Sequence, residues 1–187
     1  LKEKFLSLLR STNRDGIENF INYLENQTDF FTAPASTKYH GAYEGGLLEH
    51  SLDVYDHMSK LCHMYELDDI SEASVIITSL LHDICKVNFY KIDYRNRKNE
   101  KGVWEQVAFY RIDDTVPLGH GEKSVIMLQQ FIALTLDEIM AIRWHMGSFS
   151  GSDYTTTQSL SKAMEQHRIV TLLHMADLAA GYLDNRR

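Results

Sequence analysis

Residues 79–87 read SLLHDICKV, with His82 and Asp83 side by side among Leu80, Leu81, Ile84 and Val87. The apolar neighbours have the pattern of a buried helix. A bare charge buried there would cost roughly several kcal/mol, so the pair requires a partner.

The rest of the chain supplies the same residue types. His50 stands in GGLLEHSLDVY, His120 in LGHGEKS, His145 in IRWHMGS and Asp177 in LLHMADLAA, each beside an apolar helical pattern. Each comes from a different helix or helix end, so these side chains can converge only at the middle of a helical bundle. Four imidazoles and two carboxylates are too many for one structural zinc, which takes four ligands and favours sulfur. Mixed nitrogen and oxygen ligands suit iron or manganese first, with magnesium, nickel, cobalt or zinc as other divalent choices. Six ligands with one bridging carboxylate would hold two ions. Asp83, adjacent to His82, is the natural bridge.

The bulk composition agrees with such a bundle. The chain has 187 residues, 44% apolar and 24% charged, which fits one globular domain with a single core. No apolar run approaches the ~20 residues that a membrane helix needs. The net charge of -7 argues against a broad grip on long nucleic acid. The charge is uneven, however. Lys86, Lys91, Arg95, Arg97, Lys98, Lys101 and Arg111 face only Asp93, Glu100 and Glu105 in the same stretch, an island of net +4. Cys62 and Cys85 lie in apolar helical patterns and read as reduced thiols, so a cytoplasmic protein is expected.

The local patterns predict an all-α fold with one inserted β-hairpin at about residues 87–112. Helices are expected over residues 1–10 and 14–27, the second with Asn13 as its cap. An aromatic, turn-rich segment follows, and then helices over 47–65 and 71–86, the latter capped by Ser71. VNFYKIDY and VWEQVAFYRI have strand composition, with RNRKNEKG as the turn between them. Further helices are expected over 119–132, over 136–146, where Thr135 and Glu138 have capping-box spacing, and over 159–183. The polar stretch 147–159 reads as a loop and a candidate lid. The whole is one domain, with a helical extension over 1–38 and a core over 39–183.

The ordered set GGLLEH, LLHD, GHGEKS and LLHMAD resembles the HD-domain superfamily of metal-dependent phosphohydrolases, from about Tyr39 to Asp177. YHGAYEGGLLEHS also resembles the stretch around the first metal histidine in the HD domains of bacterial 3′–5′ exoribonucleases. LLHDICK departs from the commoner family form in carrying Cys85 where glycine is frequent. The OB domain that accompanies those exoribonucleases has no counterpart in these residues, which shifts the expected substrate to a nucleotide, another phosphate-containing small molecule or a short oligonucleotide. The resemblance implies His50, His82, Asp83 and Asp177 around one ion. It implies His120 and His145, sharing Asp83, around a second. Two ions ~3.5–4 Å apart would acidify a bridging water and aim it at phosphorus, giving a phosphodiesterase or phosphatase.

Lys86 falls three residues after Asp83 and would hold a substrate phosphate; a helix-end lysine suited to the helix dipole would look the same. Lys123 and Arg143 are further candidates for phosphate contact, and either could instead extend to solvent. His40, in the loop before the first ligand helix, is a candidate substrate contact or proton donor. His57 lies ~10 Å along the helix from His50 and reads as structural. Two other readings keep the fold: a di-iron HD-type oxygenase, and a nucleotide-binding module without catalysis.

Overall fold

The computed structural model describes residues 1–184. Eight α-helices and one two-stranded antiparallel hairpin make up its regular structure. They are α1 (Lys2–Ser11), α2 (Ile17–Gln27), α3 (Gly46–Met64), α4 (Glu72–Leu81), β1 (Tyr90–Lys98), β2 (Trp104–Ile112), α5 (His120–Leu128), α6 (Leu136–Trp144), α7 (Tyr154–Gln166) and α8 (Arg168–Tyr182). Short 3-10 turns cover Ile84–Lys86 and Gly147–Ser150. The all-α class with an inserted hairpin is the observed architecture. Among the described residues no helix is long and apolar enough to cross a membrane.

The apolar faces explain the packing. Phe5 and Leu9 of α1, Phe20 and Leu24 of α2, Leu47 and Leu52 of α3 and Ile77 and Leu81 of α4 share one buried cluster. The N-terminal helices therefore share a core with the helices that follow them. Burying each large side chain contributes roughly 1.5–3 kcal/mol, and Phe5 further stacks at a tilt on Phe30, 4.9 Å between ring centroids. A second cluster joins Val54 and Met58 of α3 to Ala141 of α6 and Leu173 and Ala176 of α8. α3 thus lies between α4 and α8, and α6 touches α4, α5 and α8.

Several boundaries differ from the sequence expectation for physical reasons. The helix expected to run to residue 86 stops at Leu81, with His82 as its C-cap. α2 is preceded by Gly16 at φ 84, not capped by Asn13. Gly16 is required there, because a Cβ would lie 1.9 Å from the Phe131 carbonyl oxygen. The hairpin turn is shorter than expected, since Arg95–Lys98 extend β1. Asn99 closes the turn by accepting from the Lys101 and Val103 amides at 3.0 and 3.1 Å. The expected loop at 147–159 becomes a 3-10 turn and the start of α7, capped by Asp153, which accepts from the Thr156 amide. The single helix expected over 159–183 breaks at His167, whose backbone leaves the helical region (φ -129, ψ 89) and whose ring lies 2.5 Å from Asp137.

Candidate metal centre

Two helix ends define the centre. His82 caps the C-terminus of α4 and directs Nδ1 to the Ser79 carbonyl at 2.9 Å. His145 caps α6 and directs Nδ1 to the Ile142 carbonyl at 2.7 Å. A carbonyl only accepts, so in each ring Nδ1 carries the proton and Nε2 presents a lone pair. Leaving the helix at His82 turns Asp83 inward between the two rings. Its Oδ2 is 3.4 Å from His82 Nε2, and its Oδ1 is 3.5 Å from His145 Nε2.

α3 contributes His50 and α8 contributes Asp177. Asp177 Oδ1 is 3.1 Å from His50 Nε2 and 3.8 Å from His82 Nε2, and His50 Nε2 is 3.8 Å from Asp83 Oδ2. Donor atoms of His50, His82 and Asp83 all lie within 4.8 Å of one another, as do those of His82, His145 and Asp177.

These atoms fit a divalent cation. His50 Nε2, His82 Nε2, Asp83 Oδ1 and His145 Nε2 are buried without a hydrogen-bond partner. The 3.1 Å approach of His50 to Asp177 has ion-pair length but not hydrogen-bond direction. Buried polar atoms left this way are costly, and lone pairs facing one another repel unless a cation lies among them. Nitrogen and carboxylate donors together suit a borderline divalent ion.

The ionisable groups of the centre act on one another at short range. Burial works against ionised Asp83, but Lys86 and then His82 outweigh it and hold its carboxyl well below the usual range. Burial likewise opposes the ammonium of Lys86, whose Nζ is 2.6 Å from Asp83 Oδ2; that carboxylate, with Tyr90, holds it above the ordinary lysine value. Asp177 is also held low, with burial overcome first by its contact with His50. Burial, His50 and Lys86 pull His40 down to about 4, its ring 4.7 Å from that of His50.

His120 begins α5 at the edge of this group and belongs to neither donor set. Its Nδ1 lies 3.5 Å from Cys85 Sγ, and desolvation lowers its pKa. Burial and Asp83 push the Cys85 thiol up to about 12, so it stays protonated. The other candidate cations hold carboxylates: Lys123 pairs with Asp114 at 2.7 Å and Arg143 with Glu122 at 2.6 Å. His57 is held by Asp184 at 2.6 Å, in keeping with a structural role.

Sequence patterns do not single out Tyr90. Its hydroxyl donates to the Ala35 carbonyl at 3.3 Å beside Lys86, and burial raises its pKa to about 12. A strand-opening aromatic gives no signal of such a position.

The HD domain family profile matches residues 47–180. Over 84 residues the chain is 31% identical to the dihydroneopterin 2′,3′-cyclic phosphate phosphodiesterase of Methanocaldococcus jannaschii. That alignment covers 43% of this chain and 31% of the relative, so the chain spans about a third of that protein's length. No solved structure matches.

Proposed function

Because the chain belongs to the HD domain family, we propose that it is a metal-dependent phosphoric ester hydrolase acting on a phosphodiester or phosphomonoester of a nucleotide-like small molecule or short oligonucleotide. One observation carries this reading: buried, unpartnered donor atoms from α3, from α6 and from the turn after α4 converge beside Asp177 of α8. The relative's activity on a cyclic phosphodiester supports the same reaction class.

In this proposal His50, His82, Asp83 and Asp177 would hold one divalent ion. His145 and His120, together with Asp83, would hold a second. Bound cations of this kind supply Lewis acidity and an acidified water for attack on phosphorus. The chain's own groups do the rest. The Ser79 and Ile142 carbonyls fix the proton on Nδ1 of His82 and His145, so both rings present acceptors inward. The Lys86 ammonium, anchored on Asp83, provides a positive site for a phosphoryl oxygen and offsets charge that grows there during attack. His40 stands over His50 as an uncharged ring at neutral pH, suited to hydrogen-bonding substrate rather than to donating a proton.

The test is hydrolysis of 2′,3′-cyclic nucleotides, nucleoside monophosphates and short oligonucleotides by protein loaded with iron, manganese, magnesium, nickel, cobalt or zinc, with and without oxygen. Turnover that persists without oxygen is expected. Turnover only with oxygen, or binding of metal and nucleotide with no turnover, would overturn the proposal in favour of an oxygenase or a binding module.

A further inference from the structure

Two histidines hold α8 on α6. His167, just before α8, reaches Asp137 in the first turn of α6 at 2.5 Å. His174, further along α8, directs Nδ1 to the His145 carbonyl at 2.6 Å. A carbonyl only accepts, so Nδ1 of His174 donates. From one contact to the next is ~12 Å along α6 and ~10.5 Å along α8 by helix rise. The two helices therefore run the same way and are pinned at both ends of α6. Ala141 of α6 and Leu173 of α8 are buried in one cluster between the pins.

The second pin falls inside the metal centre. His145 is the C-cap of α6, where helix carbonyls run out of intrahelical donors. His174 supplies one. Asp177 follows His174 by three residues, so the two share one side of α8. His145 and Asp177 also belong to one donor set, completed by His82. A single hydrogen bond thus ties the backbone of one donor residue to the turn of α8 that carries another.

The chain after α6 makes room for this ring. Gly147 is buried and has φ 55, a conformation that favours glycine. A left-handed exit from a helix accounts for that φ alone. The space has a second use, because a Cβ on residue 147 would lie 2.4 Å from Cε1 and 2.6 Å from Nε2 of His174. The imidazole is held on the His145 carbonyl and cannot retreat without breaking that bond.

We propose that His174, seated on Gly147, is a positioning residue that fixes where His145 stands relative to Asp177 and so sets how tightly the centre binds its cation. His174 itself belongs to neither donor set. The proposal rests on the metal centre of the proposed function, and not on the reaction performed there.

The experiment is titration of the full chain with Mn²⁺, with folding checked by circular dichroism and Tm followed in parallel. His174→Phe keeps a ring in the seat and loses the donor. Its Mn²⁺ affinity should fall ~10–100-fold, the scale for partners that orient metal ligands. His174→Asn places an amide N–H at the position of Nδ1 and should restore most of that loss. Gly147→Ala displaces the ring and should weaken binding as His174→Phe does; it decides the matter if His174→Phe does not fold. His167→Ala removes the remote pin and should bind Mn²⁺ as the wild type does, even with a lower Tm. Wild-type affinity in His174→Phe would overturn the proposal, as would an Asn variant as weak as the Phe variant. An equal loss in His167→Ala would also overturn it, since general docking of α8 would then be responsible. These results leave the metal centre standing. A wild type that binds neither Mn²⁺ nor, anaerobically, Fe²⁺ would refute the centre and this role together.

Discussion

Glu138 and Asp83 are both buried carboxylates, and their surroundings differ in one respect. Glu138 is fully satisfied. It accepts from both terminal nitrogens of Arg14 at 3.0 and 2.6 Å, from the Ser74 hydroxyl at 2.9 Å and from the Thr135 amide at 2.9 Å. Asp83 has Lys86 on one oxygen and no hydrogen-bond partner on the other. The two sites occupy opposite ends of the same helix pair. Ser74 and Glu138 join α4 and α6 near their starts, and His82 and His145 meet at their ends, ring centroids 4.9 Å apart. Depth and charge are alike at the two ends. The unsatisfied atoms distinguish a place that could hold a cation from one that braces the fold.

The sharpest way to break this comparison is Asp83→Ala. We expect loss of bound metal by elemental analysis and loss of hydrolysis to background. Metal that binds the folded state stabilises it by ~2.7 kcal/mol at a hundredfold excess over Kd. Chelation should therefore lower the melting temperature of the wild type and leave that of Asp83→Ala unchanged. An Asp83→Ala protein that still binds metal would remove the distinction between the two ends.

Glu138→Ala should act in the opposite sense. Removing one partner of a buried pair costs ~3–5 kcal/mol, here by stranding Arg14 and releasing Ser74. Denaturant unfolding should show that loss, while the folded variant still binds metal at saturation. A stability change under 1 kcal/mol, by roughly the surface-mutation scale, would show that the pair is not a brace.

The two ends were also unequally legible in the sequence. His50, His82, Asp83, His145 and Asp177 are conspicuous because polar types interrupt apolar helical patterns, and the structure brings their donor atoms together. The Arg14–Glu138 pair spans 124 residues, and neither partner interrupts a pattern. Only the local half of that site was readable, as Thr135 and Glu138 in a capping box, which forms as expected. Helix ends were hidden for a related reason. Ile84 and Val87 prolong the apolar spacing past Leu81, so nothing local announces that His82 ends the helix. Likewise no proline or glycine marks the break at His167, whose ring is held by Asp137 from a distant element.

His120 sharpens the comparison at the metal end. It stands outside both donor sets, so its contribution is separable from theirs. His120→Ala should lower the metal content from two ions to one per chain, with circular dichroism unchanged. An unchanged count of two would show that the ion pair does not use His120. A wild-type count of one would remove the second ion from the proposal.

The smallest expected effect is at Thr135. Its hydroxyl accepts from the Glu138 amide at 3.2 Å, and Thr135→Ala loses that cap while the Thr135 amide still reaches the Glu138 carboxylate. Loss of such a cap costs ~1 kcal/mol, or about 2–4 °C in Tm for a chain of this size. Arg14 and Ser74 keep their hold on Glu138 in this variant, so the register of α4 against α6 should persist. His145 lies at the far end of α6, ~15 Å away along its axis. Metal affinity by titration should therefore match the wild type. If it fell together with Tm, the cap and not the Glu138 brace would be what aligns the two histidine-bearing helix ends.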